Sequence, residues 1–193
     1  MNEDNSELLA RIGEARASGE IGEQEASDAE SVLSRSDSVE VPSELVGEGG
    51  TAEPAKESED LRAKLKDMTL PQKIKLAMFG NATARSLLIG DANRIVQECV
   101  LKNPQLRDGE VCDFAKNPNL SEYVLRYIAN NKTWMKLYAT KLNLVTNPKC
   151  PTDVSMKWLR HMRKLDLRKI SKSKNIPQVI ATTAKKRLAE MKG

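Results

Sequence analysis

One histidine, three cysteines and 4% aromatic residues in 193 positions leave little material for catalysis or metal binding. Zinc centres need several convergent Cys, His or carboxylate ligands, so a lone His161 with no paired cysteines excludes the usual zinc frameworks. Neither G-x-x-x-x-G-K-[ST] nor G-x-G-x-x-G occurs, which removes the common phosphate-cradling loops. No run approaches the ~20 apolar residues that cross a bilayer. The opening MNEDNSELLARIGEARASGE lacks a basic region followed by an apolar one. Cys99, Cys112 and Cys150 each sit among apolar neighbours, as small buried side chains do. These absences lead to the expectation of a cytoplasmic protein with no cofactor, no enzymatic activity and no membrane contact.

What is present is charge, divided by sign. Residues 1–60 hold 17 Asp/Glu against 4 Lys/Arg, a net of −13, while the whole chain is +4, so residues 61–193 carry +17. Such asymmetry marks an interaction tail or a polyelectrolyte partner. The first 60 residues also lack aromatics and have scattered aliphatics, too little apolar surface to offset ~1–2 kcal/mol per residue of backbone ordering. They read as a disordered acidic arm. Two stretches within it, Ser6–Ile12 with Leu8, Leu9 and Ile12 at helical spacing, and Ser38–Val46, read first as ordinary linker; ordering against a partner is the alternative. Gly47–Pro54 is the expected hinge.

Past residue 60 the chain repeats itself. Asn-Pro occurs at Asn103-Pro104, Asn117-Pro118 and Asn147-Pro148, with a looser copy at Asn175-Ile-Pro177. Aligned on the first three Asn residues, Leu106, Leu120 and Cys150 fall at +3, Phe114, Ile128 and Trp158 at +11, and Asn117, Asn131 and His161 at +14. Proline cannot continue a helical hydrogen-bond ladder and pushes its predecessor out of the α region, so each mark ends one helix and opens the next. Asn suits the left-handed conformation common just past a helix end, and Asp108, Ser121 and Thr152 are the expected N-caps.

Between marks the apolar residues keep helical spacing: Val111, Phe114 and Ala115; Val124, Leu125, Ile128 and Ala129; Val154, Trp158, Leu159 and Met162. Thr69-Leu-Pro-Gln72 predicts a capping box opening a helix over 71–79, closed by Gly80-Asn81. Asp91-Ala-Asn93 opens a helix with Ile95, Val96, Cys99 and Val100. Thr133–Val145 is expected as one helix, and Ile180, Ala184, Leu188 and Met191 form the last stripe. About nine short helices result, none alternating like a strand. Each is too short to persist alone and must share a core with its neighbours.

This alternation of short helices with Asn-Pro junctions, above all Asn117-Pro-Asn-Leu-Ser-Glu-Tyr-Val-Leu-Arg-Tyr-Ile-Ala129, resembles bacterial HEAT-like and leucine-rich-repeat-variant α-solenoids over residues 69–190. The resemblance implies an all-α, ARM-type array serving as a scaffold or binding surface. Marks 14, then 30, then 28 residues apart imply a short array rather than a regular superhelix.

The candidate binding surface is basic. Residues 155–193 hold 12 Lys/Arg against 2 acidic residues, with Arg160, Arg163, Lys164, Arg168, Lys169, Lys172, Lys174, Lys185, Lys186 and Arg187 as the expected contacts. The first expectation is an adaptor that presents a groove to a protein partner, with the acidic arm either contacting the basic domain and competing for that groove or recruiting a second partner. The alternative is nucleic-acid binding through the C-terminal helices. A catalytic repeat protein would require a cleft joining Asp153, Trp134 and Tyr138. Asp108, Asp153 and Asp166 are otherwise helix-start carboxylates, and His161 an exposed helical residue.

Overall fold

The computed structural model describes residues 3–19, 21–34, 41, 62–65 and 67–191, and no strand occurs among them. Intrachain contacts group Met1–Leu106 and Arg107–Gly193 into two units. The expected motif Ser38–Val46 and hinge Gly47–Pro54 lie outside the described residues, Val41 apart.

The first unit holds α1 (Glu3–Ala17), α2 (Glu23–Leu33), α3 (Leu70–Phe79), α4 (Ala82–Leu88) and α5 (Arg94–Leu101). Residues 3–33 correct the expectation of a wholly disordered arm. Leu8 and Ile12 are fully buried on α1, and Ala26, Ala29, Val32 and Leu33 form the inner stripe of α2. Composition averaged these few aliphatics with the charges around them. Their spacing gathers them on one face of each helix, which is what burial requires.

α1 packs on α2 and α5, and α2 packs on α3. Helix α5 is consequently enclosed, with every residue from Ile95 to Leu101 buried. Among them is Glu98, 2% exposed, which receives the guanidinium of Arg11 from α1 and the ammonium of Lys102 at 3.2 Å. A buried carboxylate is tolerated only when paired in this way. Gln97, also buried, donates to the Asp91 carbonyl at 2.6 Å. Among the described residues, α1 and α2 thus meet the body through apolar contacts and through the Arg11–Glu98 ion pair, in which the arm supplies the base and the body the acid.

The capping box at Thr69 forms as the sequence predicts, with Gln72 Oε1 accepting from the Thr69 amide at 3.0 Å. Helix α3 ends on Gly80, where a Cβ would lie 2.3 Å from the Leu76 carbonyl oxygen. Asn81 and Asn93 cap α4 and α5 through side-chain oxygens that accept from Ala84 and Ile95.

The second unit continues with α6 (Asp108–Lys116), α7 (Glu122–Asn130), a single 3-10 turn at Trp134–Lys136, α8 (Tyr138–Thr146), α9 (Thr152–Leu159), α10 (Lys164–Ile170) and α11 (Gln178–Glu190). The helix expected over Thr133–Val145 is therefore split at Leu137, whose ψ of 122° is extended. Of the expected N-caps, Ser121 is one; Asp108 and Thr152 each fall one residue inside the helix, after Arg107 and Pro151.

The asparagine marks work differently from the expectation. Asn117, Asn131 and Asn147 have φ near −75° and ψ between 112° and 123°, extended and not left-handed. Their side chains turn back on the chain instead. Oδ1 of Asn103, Asn117, Asn131 and Asn147 accepts from the amide two residues on, at 2.8–2.9 Å. In the two buried cases Nδ2 also reaches an earlier helix: Asn103 donates to the Ala77 carbonyl at 2.8 Å, and Asn147 donates to those of Ala115 and Asn117 at 2.9 and 3.0 Å. Counting Asn131, His161 and Asn175 as marks gives one every 14–16 residues from Asn103 to Asn175.

Side-chain contacts in this unit join alternate helices at a near-constant offset. Cys112 Sγ meets Thr140 Oγ1 across 28 residues, Arg126 binds Asp153 across 27, Tyr138 binds Asp166 across 28 and Arg187 binds the Arg160 carbonyl across 27. Most of the stripes expected from sequence line the interior: Phe114, Val124, Leu125, Ile128 and Leu159 are buried, and Trp158 is half-buried against a cluster containing Val145, Met162, Leu167, Ile170 and Ile180. The last stripe is corrected at its end: Ile180 and Ala184 are buried, Leu188 is half-buried and Met191, in the final turn, is exposed.

Two substitutions test this account. Asn147→Ala removes the donor to two carbonyls at a buried helix end and should cost about 1–3 kcal/mol in chemical denaturation; Asn119→Ala, at an exposed neighbour, should change stability far less. Ile12→Ala on α1 should cost about 2–5 kcal/mol, as for other large-to-small core changes. A value near zero at Ile12 would mean that α1 is not packed.

Candidate anion-binding face

Helices α10 and α11 place the basic residues by burying the apolar ones. Leu167 and Ile170 of α10 and Ile180 and Ala184 of α11 are at most 1% exposed. Helical geometry then turns Lys164, Arg168 and Lys169, and Lys185 and Lys186, toward solvent. The connection buries Ile176 and exposes Lys172 and Lys174. Of the ten cations expected from sequence, nine are exposed and Arg187 is half-buried; none is ion-paired with a carboxylate among the described residues.

Local bonds order part of this face. The Tyr138 hydroxyl accepts from the Arg163 amide at 3.0 Å and donates to Asp166 at 2.5 Å, capping the start of α10 from α8. The Arg163 guanidinium lies 4.5 Å from the centre of the Tyr138 ring, a cation–π contact. Burial, then the bond to Asp166, pushes the Tyr138 phenol above its ordinary pKa. Lys164 Nζ donates to the Met191 carbonyl at 3.3 Å. Arg187 Nη2 donates to the Arg160 carbonyl at 2.7 Å, so the end of α9 is held by α11.

Between α9 and α11 lies an open cleft of about 590 Å³, lined on its basic side by Lys157, Arg160, His161, Lys186 and Arg187. Two carboxylates, Asp153 and Glu190, also line it. Asp153 is already engaged: Arg126 donates two hydrogen bonds to it, at 2.7 and 3.2 Å, and holds its carboxyl below the usual carboxylate range. The Trp158 ring stands beside His161, centroids 5.4 Å apart, with Lys141 and Lys157 ammonium groups 5.5 and 5.3 Å from its centre. Among the described residues, the Trp158 indole N–H and the Arg187 Nε–H are buried without a protein acceptor.

The trio that a catalytic reading would require is not brought together. Asp153 pairs with Arg126, Tyr138 with Asp166, and Trp134 packs on Tyr127 at 6.3 Å between ring centres. No group of three or more His, Cys, Asp or Glu able to hold a metal ion occurs among the described residues, and none of their helices is long and apolar enough to cross a membrane. His161 is exposed in the turn after α9. Sequence reasoning passed over Lys157 and the cleft itself. Lys157 and Arg160 stand one turn apart in the sequence, but the pairing of α9 with α11 that forms the cleft is a tertiary contact with no local signal.

The cysteines differ in environment. Burial pushes the Cys99 thiol up to about 12, reinforced by neighbouring Glu98, and pushes Cys150 to about 11. The thiolate is the reactive form, so both are protected twice, by access and by protonation. Cys112 is partly exposed. Iodoacetamide on the native protein at pH 8 should label Cys112 first, with Cys99 and Cys150 reacting only after denaturant is added; peptide mass mapping reads the order.

Comparison with protein-family models, with curated proteins and with solved structures finds no match.

Proposed function

We propose that the protein is a non-catalytic adaptor of helical-repeat, HEAT-like type whose second unit binds an acidic segment of a protein partner. The recurring 27–28-residue offset between bonded alternate helices supports the repeat reading, because stacked units share a core and leave a continuous outer surface for a partner. The chemistry of that surface carries the rest: nine exposed cations and half-buried Arg187, none ion-paired with a carboxylate among the described residues. Their field attracts a polyanion and gains from neutralising it. The acidic residues of 35–60 are tethered to the same chain and act, in this reading, as a competitor at high effective concentration.

Nucleic acid is the second reading, favoured by the density of Lys and Arg and by the half-buried Trp158 flanked by two lysines. One comparison separates the two. A four-site charge reversal at Lys164, Arg168, Lys169 and Lys172 spares Arg163, which props Tyr138. It should leave the circular dichroism spectrum unchanged and reduce binding of a Glu/Asp-rich peptide at least tenfold. If instead duplex DNA or RNA binds more tightly than the peptide, with affinity falling steeply with salt, the nucleic-acid reading replaces the adaptor.

A further inference from the structure

The cleft between α9 and α11 has features that a solvated basic surface does not need. Four cationic side chains, Lys157, Arg160, Lys186 and Arg187, come from two helices to line one concavity. Its near carboxylate, Asp153, is consumed by two bonds from Arg126, leaving Glu190 as the remaining acidic group on the wall. Arg187 is positioned before any ligand arrives: Nη2 is anchored on the Arg160 carbonyl at 2.7 Å, while Nε is buried with no acceptor. The volume, about 590 Å³, falls in the range of small-molecule sites and far exceeds one oxyanion. Met156 and the Thr183 hydroxyl on the same walls offer an apolar and a polar contact to the rest of a ligand.

We propose that this cleft is a binding site for a small phosphomonoester of nucleotide size, with Arg160, Lys186 and Arg187 receiving the phosphate dianion. Guanidinium groups fit phosphate by paired N–H donors, and the ammonium groups of Lys157 and Lys186 add charge without directional demand. The cleft shares Arg160, Lys186 and Arg187 with the exposed basic face, and the proposal rests on its concavity and not on which macromolecule meets that face.

Isothermal titration calorimetry of the full chain with AMP, ribose 5-phosphate and adenosine tests it, at fixed ionic strength maintained with sodium chloride. Both phosphates should bind saturably with a dissociation constant below about 1 mM, and adenosine should not bind. The double variant Arg160→Ala/Lys186→Ala should weaken both phosphates at least tenfold. Arg168→Ala/Lys169→Ala, which removes equal charge outside the cleft, should change affinity less than twofold. Arg187→Lys keeps the charge and loses the fork, and should also weaken binding. Thermal melts of each variant separate lost binding from lost folding: should the cleft double variant melt early, Lys157→Ala supplies the same comparison from an exposed side chain. Absence of saturable phosphate binding, or equal losses in the cleft and outside pairs, would overturn the assignment.

Discussion

A helix of seven to nine residues leaves most of its terminal amides and carbonyls without intrahelical partners, and a domain built from such helices must satisfy them another way. Here the side chain of asparagine does so. Oδ1 of Asn103, Asn117, Asn131 and Asn147 accepts from the chain just beyond the helix, and Nδ2 of buried Asn103 and Asn147 donates to carbonyls at the end of an earlier helix. One amide group therefore closes a helix and fixes its distance from another. In the second unit, side-chain contacts 27–28 residues apart also join alternate helices, over a core that buries Phe114, Ile128 and Leu159.

The N-terminal segment shows how charge can mislead. Residues 1–60 carry a net of −13, and composition alone predicts no fold for them. Yet α1 and α2 are amphipathic, and α1 supplies Leu8, Ile12 and Arg11 to enclose α5. Glu98, in the middle of α5, is intelligible only in that setting: without a helix over it the residue would point to water, and with α1 present it needs Arg11 and Lys102 beside it. The pairing reverses the simple picture of an acidic arm on a basic body.

On the second unit, the arrangement separates two kinds of cation. Arg163 and Arg187 are engaged with Tyr138 and the Arg160 carbonyl and hold helices in place. Lys164, Arg168, Lys169, Lys172, Lys174, Lys185 and Lys186 project outward from helices whose inner faces are sealed. Few carboxylates lie near: Asp166 is bound by Tyr138 and Asp153 by Arg126, so the field on this side is left largely uncompensated. The proposed binding of an acidic partner rests on that field.

From the residues alone came the helical class, the stripe Val124, Leu125, Ile128 and Ala129, the capping box at Thr69 and the basic C-terminal face, because these depend on spacing within one helix or on local composition. The Asn marks were visible as well, though their side-chain bonds to carbonyls about 26 to 32 residues earlier were not. Tertiary structure alone decided the burial of α1, the enclosure of Glu98, the break at Leu137 and the cleft joining Arg160 to Arg187. Each of those depends on which surfaces distant segments present to one another, and such pairings are set by packing and desolvation across the fold, quantities that no window of neighbouring residues contains.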